Sequence, residues 1–273
     1  MRTLVVTFSL LAALSLARAA HASPHALPYS YPYATLGAGQ LEVEQYADLT
    51  PVPTFGITTA TQTTLRGVLT TELEYGITDR LEAGLYFEVS NNTISTDGTE
   101  PLQLDGIKQR LRYRIADRGV LPVDISVYGE LSEFTNEIEL EGKINLEKDF
   151  GRLQVLVNLW AEREFYYAGQ QEWVLNPTAG ASFEITPAVH LGVEYWMHGE
   201  FGNTTNAANP AFTAGAAFNP GLHHYIGPAL LLQGNKFWWA VAPYVRLDDW
   251  NRKGQLGDQY GHFWVRTIVG IEL

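Results

Sequence analysis

Residues 65–77 read LRGVLTTELEYGI, and taken two at a time they separate into two sets. Leu65, Gly67, Leu69, Thr71, Leu73, Tyr75 and Ile77 fall on one face, and Arg66, Val68, Thr70, Glu72, Glu74 and Gly76 on the other. A period of two belongs to a β-strand, whose successive side chains point to opposite faces. Apolar against charged over a stretch this long gives each face its own solvent, hydrocarbon on one side and water or polar partners on the other.

The pattern recurs along the chain. After the short turn Thr78-Asp79-Arg80, Leu81, Ala83, Leu85, Phe87 and Val89 are expected outward and Glu82, Gly84, Tyr86 and Glu88 inward. Ile107, Leu111, Tyr113 and Ile115 oppose Lys108, Arg110, Arg112 and Arg114, with Gln109 the misfit on the apolar face. Val123 to Leu131 oppose Asp124, Ser126, Tyr128 and Glu130, and Ile138 to Leu146 oppose Glu137, Glu139, Glu141, Lys143 and Asn145. Further strands are expected from Leu153, near Trp173, from Val189, near His223, from Phe237, and from Gly261 to Leu273.

This gives an all-β chain, a closed antiparallel transmembrane β-barrel of about 12 strands, with 14 if Ala211 to Phe218 adds a hairpin. Closure follows from energetics, because an open edge in lipid leaves a row of unpaired backbone groups, each costing several kcal/mol. Connections alternate in length, as in a barrel inserted from one side. Short turns fall at Thr78, Asp117, Asp149, Thr186 and Gly234, and long loops at 48–63, 90–104, 199–222 and 248–259; the connections near Phe134 and Tyr166 are exceptions. Aromatic girdles are expected from Tyr75, Phe87, Trp173, Tyr195, Phe237, Trp239, Tyr260 and Phe263. Pro177, Pro228 and Pro243 fall inside expected strands, where each removes a ladder hydrogen bond and calls for a bulge, strand start or rim position.

The amino-terminal residues set the compartment. Arg2, the apolar run Leu4 to Leu16 and the small-x-small site Ala20-His21-Ala22 predict a signal peptide over 1–22. That run of about thirteen residues is too short to span a bilayer as a helix, and no later apolar run reaches the necessary length. Residues 23–39, rich in proline and tyrosine, read as a periplasmic lead-in, a linker in preference to a short plug, and 40–273 as the barrel. Removing Arg2 and Arg18 from the 18 basic residues leaves 16 against 30 acidic ones, a balance of −14 that argues against a nucleic-acid partner. With no cysteine, disulfides, thiolate metal sites and an amino-terminal lipid anchor are excluded.

The hairpins "GITDRLEAGLYFE" and "HHYIGPALLLQGNKFWWAVAPYVRL", with the signal sequence and the alternation, resemble bacterial outer-membrane β-barrel proteins. Within them the chain is most similar to the porin-like or transporter-like group that includes the proteins of the MetA pathway of phenol degradation. The resemblance implies the outer membrane of a Gram-negative bacterium, with outer-membrane lipid around the barrel. Such barrels usually end in an aromatic residue, and here the last is Leu273.

The inner face supplies the candidate site. Lys108, Arg110, Arg112 and Arg114 form a basic ladder between Glu82 and Glu88 on one side and Asp124 and Glu130 on the other, with Glu137, Glu139 and Glu141 beyond. Two readings follow: a transverse field across a narrow pore, or cross-strand ion pairs that fill the lumen. His190, Glu194, Trp196, His198 and His223 include zinc-ligand types, although rim histidines carry the same pattern, and no metal or cofactor is assigned. Asn203, Thr204, Thr205 and Asn206 lie in the longest loop, a solvated stretch with room for an external ligand. Enzyme motifs are absent, and Ser126 and Ser132 have no histidine predicted beside them. The expected function is a narrow passive channel for small polar solutes; the alternatives are a structural or surface-interaction barrel with a plugged lumen and a lipid hydrolase. On this reading Leu85→Arg is costly, Glu82→Gln is cheap, and Arg110→Glu or Arg112→Glu shifts ion selectivity.

Overall fold

A computed structural model describes residues 24–55, 61–91, 102–203, 222–248 and 261–273. The expected signal peptide, Thr204 to Asn206, the possible hairpin at Ala211 to Phe218 and the girdle residue Tyr260 lie outside these residues, as does the side chain of Asn203.

Thirteen strands form among the described residues: β1 (Leu41–Phe55), β2 (Thr61–Gly76), β3 (Leu81–Ser90), β4 (Gln103–Arg114), β5 (Asp124–Phe134), β6 (Glu137–Phe150), β7 (Leu153–Tyr166), β8 (Gln171–Leu175), β9 (Thr178–Thr186), β10 (Val189–Asn203), β11 (Leu222–Gln233), β12 (Phe237–Arg246) and β13 (Phe263–Glu272). Every pairing is antiparallel, and the ring closes where β1 meets β13, from Glu42 opposite Glu272 to Leu49 opposite Val265. The barrel nevertheless has twelve staves, because β8 and β9 both lie between β7 and β10. One stave is interrupted at Asn176-Pro177, where the proline lacks the ladder N–H.

The other two interior prolines share a rung. Ile226 faces Val245 and Leu230 faces Val241 in one continuous register, which sets Pro228 opposite Pro243. Two missing donors at one place leave one gap in the ladder instead of two. At the other rim, β1 and β2 run on to Phe55 and Thr61, so the long loop expected at 48–63 is mostly paired strand. Pro51 and Pro53 fall beyond the end of the pairing with β13, where β1 has one neighbour and a missing N–H is tolerated.

The alternation sorts as the sequence requires. Leu65, Leu111, Leu140, Leu159, Leu191 and Val193 are exposed on the outside, and Gln109 stands exposed among them. Tyr75, Tyr113, Phe183 and Phe237 ring the turn end, while Trp173, Phe201 and Phe263 ring the loop end. The inward set is buried, and it includes Trp196, Tyr225, Trp238, Tyr244, Trp264 and Ile268.

What buries them corrects the sequence expectation. Residues 24–36 are not a linker beneath the barrel but run inside it, with His25, Leu27, Tyr29, Ser30, Tyr33 and Leu36 all almost fully buried. The tyrosines recur at every second position, 29, 31 and 33, the same period as the wall they pack against.

The lumen as candidate functional site

A chain segment inside a barrel has buried backbone groups and no sheet to pair them, so the wall must supply the partners from its side chains. Four inward residues do so. The N–H of Tyr29 donates to Glu194 Oε2 (3.1 Å), that of Tyr31 to Asn158 Oδ1 (2.8 Å), that of Tyr33 to Glu147 Oε2 (2.9 Å) and that of Leu36 to Glu82 Oε2 (2.6 Å). Asn158 returns Nδ2 to the carbonyl of Tyr31 (3.0 Å), and Ser30 Oγ donates to Thr178 Oγ1 (2.7 Å).

The order of these contacts describes the path. His25 stacks on Trp238 of β12 beside Glu44 of β1, Leu27 reaches β9 and β10, Tyr29 reaches β10, Tyr31 reaches β7, Tyr33 reaches β6 and Leu36 reaches β3, before the chain enters β1 at Leu41. The segment therefore makes about one circuit of the inner wall. Leu27 seats over Gly180 and Gly192, where a Cβ atom would stand 2.5 Å and 2.8 Å from its methyl groups. Gly76 likewise leaves room for the turn at Gly37, and its carbonyl accepts from Gly39 (2.7 Å), which has φ of 80°.

Two chemistries fill the bore. On the β10–β13 side Tyr29 stacks on Trp196 (4.3 Å between centroids), Trp196 on Tyr225 (4.1 Å) and Tyr244 on Trp264 (4.7 Å), forming an aromatic core. On the β1–β6 side the expected basic ladder is embedded in carboxylates. Arg110 meets Glu72 (2.6 Å), Glu82 (2.6 Å) and Glu74; Arg112 meets Glu82 (2.8 Å); Lys108 lies between Glu88 (3.6 Å) and Glu130 (4.0 Å). Arg114 turns to the carbonyl of Asp79, and Asp124 accepts from the N–H of Gly119 (2.6 Å). Arg110 and Arg112 are wholly buried. They are ion-paired filling and face no open water, so their reversal to glutamate strikes the packing before any ion selectivity. Glu82 joins both guanidiniums and the N–H of Leu36, contacts that make Glu82→Gln a costly change by expectation and not a cheap one.

Lys143 is a feature that counting charges misses. Its ammonium lies 3.8 Å from the ring of Tyr31, 4.2 Å from Tyr128 and 3.7 Å from Trp160, with Glu141 at 2.5 Å. One wall cation thus grips the inner segment through a ring that belongs to it. Burial and the carboxylates of Glu72, Glu130 and Glu141 push the phenol of Tyr31 above its ordinary range, which keeps it a neutral ring.

Toward the loop end Glu137, Glu139, Glu164, Glu172 and Glu200 line the inside of β6, β7, β8 and β10. Tyr166 donates to Glu164 and lies equally close to Glu172, both at 2.8 Å.

The histidines divide. His198 and His223 face each other across β10 and β11, as their numbers suggest, but His198 lies against Asn176 (2.6 Å) and Glu200 (3.0 Å), and His223 against Asp248 (2.9 Å) and Arg246. Glu194 holds the inner segment and Tyr244, Trp196 lies in the aromatic core, and His190, eight residues from His198, lies beside Gln233. These five residues do not converge on one point. Ser126 accepts from Asn145 (3.1 Å) and Ser132 donates to Glu130 (3.1 Å).

No family model matches the chain, and no curated protein matches it in sequence. Among solved structures, an outer-membrane channel from Pseudomonas putida F1 superposes with a TM-score of 0.57 at 11% identity, over 89% of this chain and 100% of that one. The NanC porin superposes with a TM-score of 0.54 at 9% identity, over 85% and 98%. The likeness at these identities is one of fold, that of the porin-like outer-membrane barrels.

Proposed function

We propose that the protein is a passive channel of a Gram-negative outer membrane, carrying small polar solutes, and that residues 24–36 close it at rest. The apolar outer belt between two aromatic girdles supports the location. One observation carries the closed resting state: the segment lies in the bore without adding a strand, held by Glu194, Asn158, Glu147 and Glu82 through side chains. Water can replace such bonds one at a time, whereas a wall strand in lipid has no substitute partner. The loop-end carboxylates favour cationic or neutral solutes over anions. Ser126 and Ser132, both engaged away from histidine, favour no hydrolase reading.

A second reading is a plugged structural barrel, favoured by the aromatic core around Trp196. One experiment separates the two. The chain has no cysteine, and Ser30 Oγ and Thr178 Oγ1 are 2.7 Å apart, so the Ser30→Cys, Thr178→Cys double variant can lock the segment to the wall. In planar bilayers the gated channel predicts conductance steps from the reduced variant and silence from the oxidised one. Equal conductance in both states places the pathway elsewhere, and silence in both from a folded barrel favours the plug.

A further inference from the structure

Along the inner segment, residues 24–36, His25 is the one side chain that titrates near neutral pH. It is 2% exposed, and neither Nδ1 nor Nε2 has a hydrogen-bond partner. Aromatic rings hold it instead. The imidazole stacks on Trp238 of β12 (5.5 Å between centroids, planes 9° apart) and meets Tyr31 (5.4 Å) and Tyr46 of β1 (6.3 Å) edge to face. A neutral ring leaves one donor and one acceptor unmet in such a seat, whereas a protonated ring brings two donors and a full charge.

The charges around the seat decide what a proton does there. Glu44 of β1 faces the ring, with Oε1 3.8 Å from Nε2, too far for a hydrogen bond, while its Oε2 accepts from Tyr46. Glu42, on the same strand, accepts from Nε1 of the stacked Trp238. Against them stand cations on three other strands, Arg110 and Arg112 of β4, Lys143 of β6 and Arg266 of β13. Burial first, and then the charges of Arg112, Arg110, Arg266 and Lys143, hold the imidazole well below its ordinary value.

We infer that His25 is an acid-sensitive latch: a proton on its imidazole, taken up when the ring leaves the seat between Trp238 and Glu44, frees the inner segment from the wall as the medium acidifies. Released into water, the ring regains an ordinary value of about 6.5, so the released state binds the proton and the docked state does not. The contribution to docking is complete above that value and is lost as pH falls from there toward the lower value of the docked ring, by up to about tenfold per pH unit. Between pH 7.5 and pH 5.5 the released fraction should rise about tenfold. On the reading of residues 24–36 as the closing element, the pore then opens in acid.

The test is amide hydrogen exchange on the full chain in detergent at pH 7.5 and pH 5.5, expressed as protection factors so that the intrinsic pH dependence of exchange divides out. The wall-bound amides of Tyr29, Tyr31, Tyr33 and Leu36 should lose about tenfold in protection at pH 5.5, and the amides of the β5–β6 wall should lose none. In His25→Phe, which keeps a ring for Trp238 but takes up no proton, the loss should vanish with His190, His198, His223, His224 and His262 still present. Protection that holds or rises at pH 5.5 in the wild type, the result if Glu44 captures the charged ring, overturns the latch, as does an equal loss in His25→Phe. Should that variant fail to fold, the imidazole resonance of His25 in the wild type decides: a titration midpoint below that of a free peptide of residues 24–36 supports the latch, and one at or above it overturns it. A pH response in protection without any conductance leaves the latch standing and removes the channel reading.

Discussion

The backbone N–H of Tyr29 donates to the carboxylate of Glu194, a residue 165 positions later in the chain. The same carboxylate accepts from the hydroxyl of Tyr244. A buried glutamate without a cation beside it is costly, and here an inner-segment backbone group and a wall phenol are among the donors that offset the cost. Glu194→Ala therefore orphans two buried donors, at about 1–3 kcal/mol each. Urea unfolding in lipid vesicles, read by tryptophan fluorescence, should show that loss. Glu194→Gln keeps a carbonyl acceptor and should cost less. Wild-type stability in Glu194→Ala would mean that the segment is not anchored there.

Glu82 and Leu85 stand three residues apart on β3, one in the ion network and one on the lipid face. Leu85→Arg puts a cation into hydrocarbon at about 2–4 kcal/mol near mid-bilayer. Glu82→Gln removes the nearest carboxylate of Arg112 and one of the three around Arg110, and breaking a buried pair costs about 3–5 kcal/mol. Both variants should be destabilised to a similar degree by the same titration, and a neutral Glu82→Gln would show that the network is wet.

The wall was legible because its two faces meet two different solvents, and each inward or outward assignment from Leu65 to Leu159 rests on that contrast. The prolines were legible as disturbances, but not in the form they take, since only register shows that Pro228 and Pro243 share a rung. The inner segment was not legible as such. Proline and tyrosine at 28–33 suit an exposed linker as well as a buried one, because an extended chain without ladder bonds reads the same in either place. The signal present was indirect: Asn158 and Glu194 are polar inward residues with no cation opposite them on either neighbouring strand, so something else had to satisfy them. The basic ladder shows the same limit, because alternation fixes the face of Arg110 but not whether water or Glu72 meets it.

The fit of Leu27 makes a third prediction. Gly180→Ala places a methyl group 2.5 Å from Leu27 and 2.8 Å from the carbonyl of Val193. Overpacking of this kind costs about 1–3 kcal/mol. Because the backbone carbonyl cannot retreat, Leu27 must, and the segment should loosen. Hydrogen exchange at the amides of Leu27, Tyr29 and Ser30 should quicken in Gly180→Ala while the β5–β6 wall stays protected; unchanged exchange would separate Leu27 from the wall.

The loop-end rim gives a prediction with a pH sign. Asp248, just past β12, accepts from the N–H of His224 (2.8 Å) and from Arg246 Nε (3.2 Å), with His223 Nδ1 at 2.9 Å. Partial burial works to raise its pKa, but these partners outweigh it and hold the carboxyl below its ordinary value. A depressed carboxylate contributes stability that is complete above the unfolded value of about 3.9 and is lost as pH falls through the lower folded value. Asp248→Asn should therefore cost about 1–2 kcal/mol at neutral pH, a figure reduced for its partial exposure. The gap between wild type and variant should narrow below about pH 4. Paired urea titrations at pH 7 and pH 3 measure it, and a gap that widens on acidification would reverse the assigned role of this carboxylate.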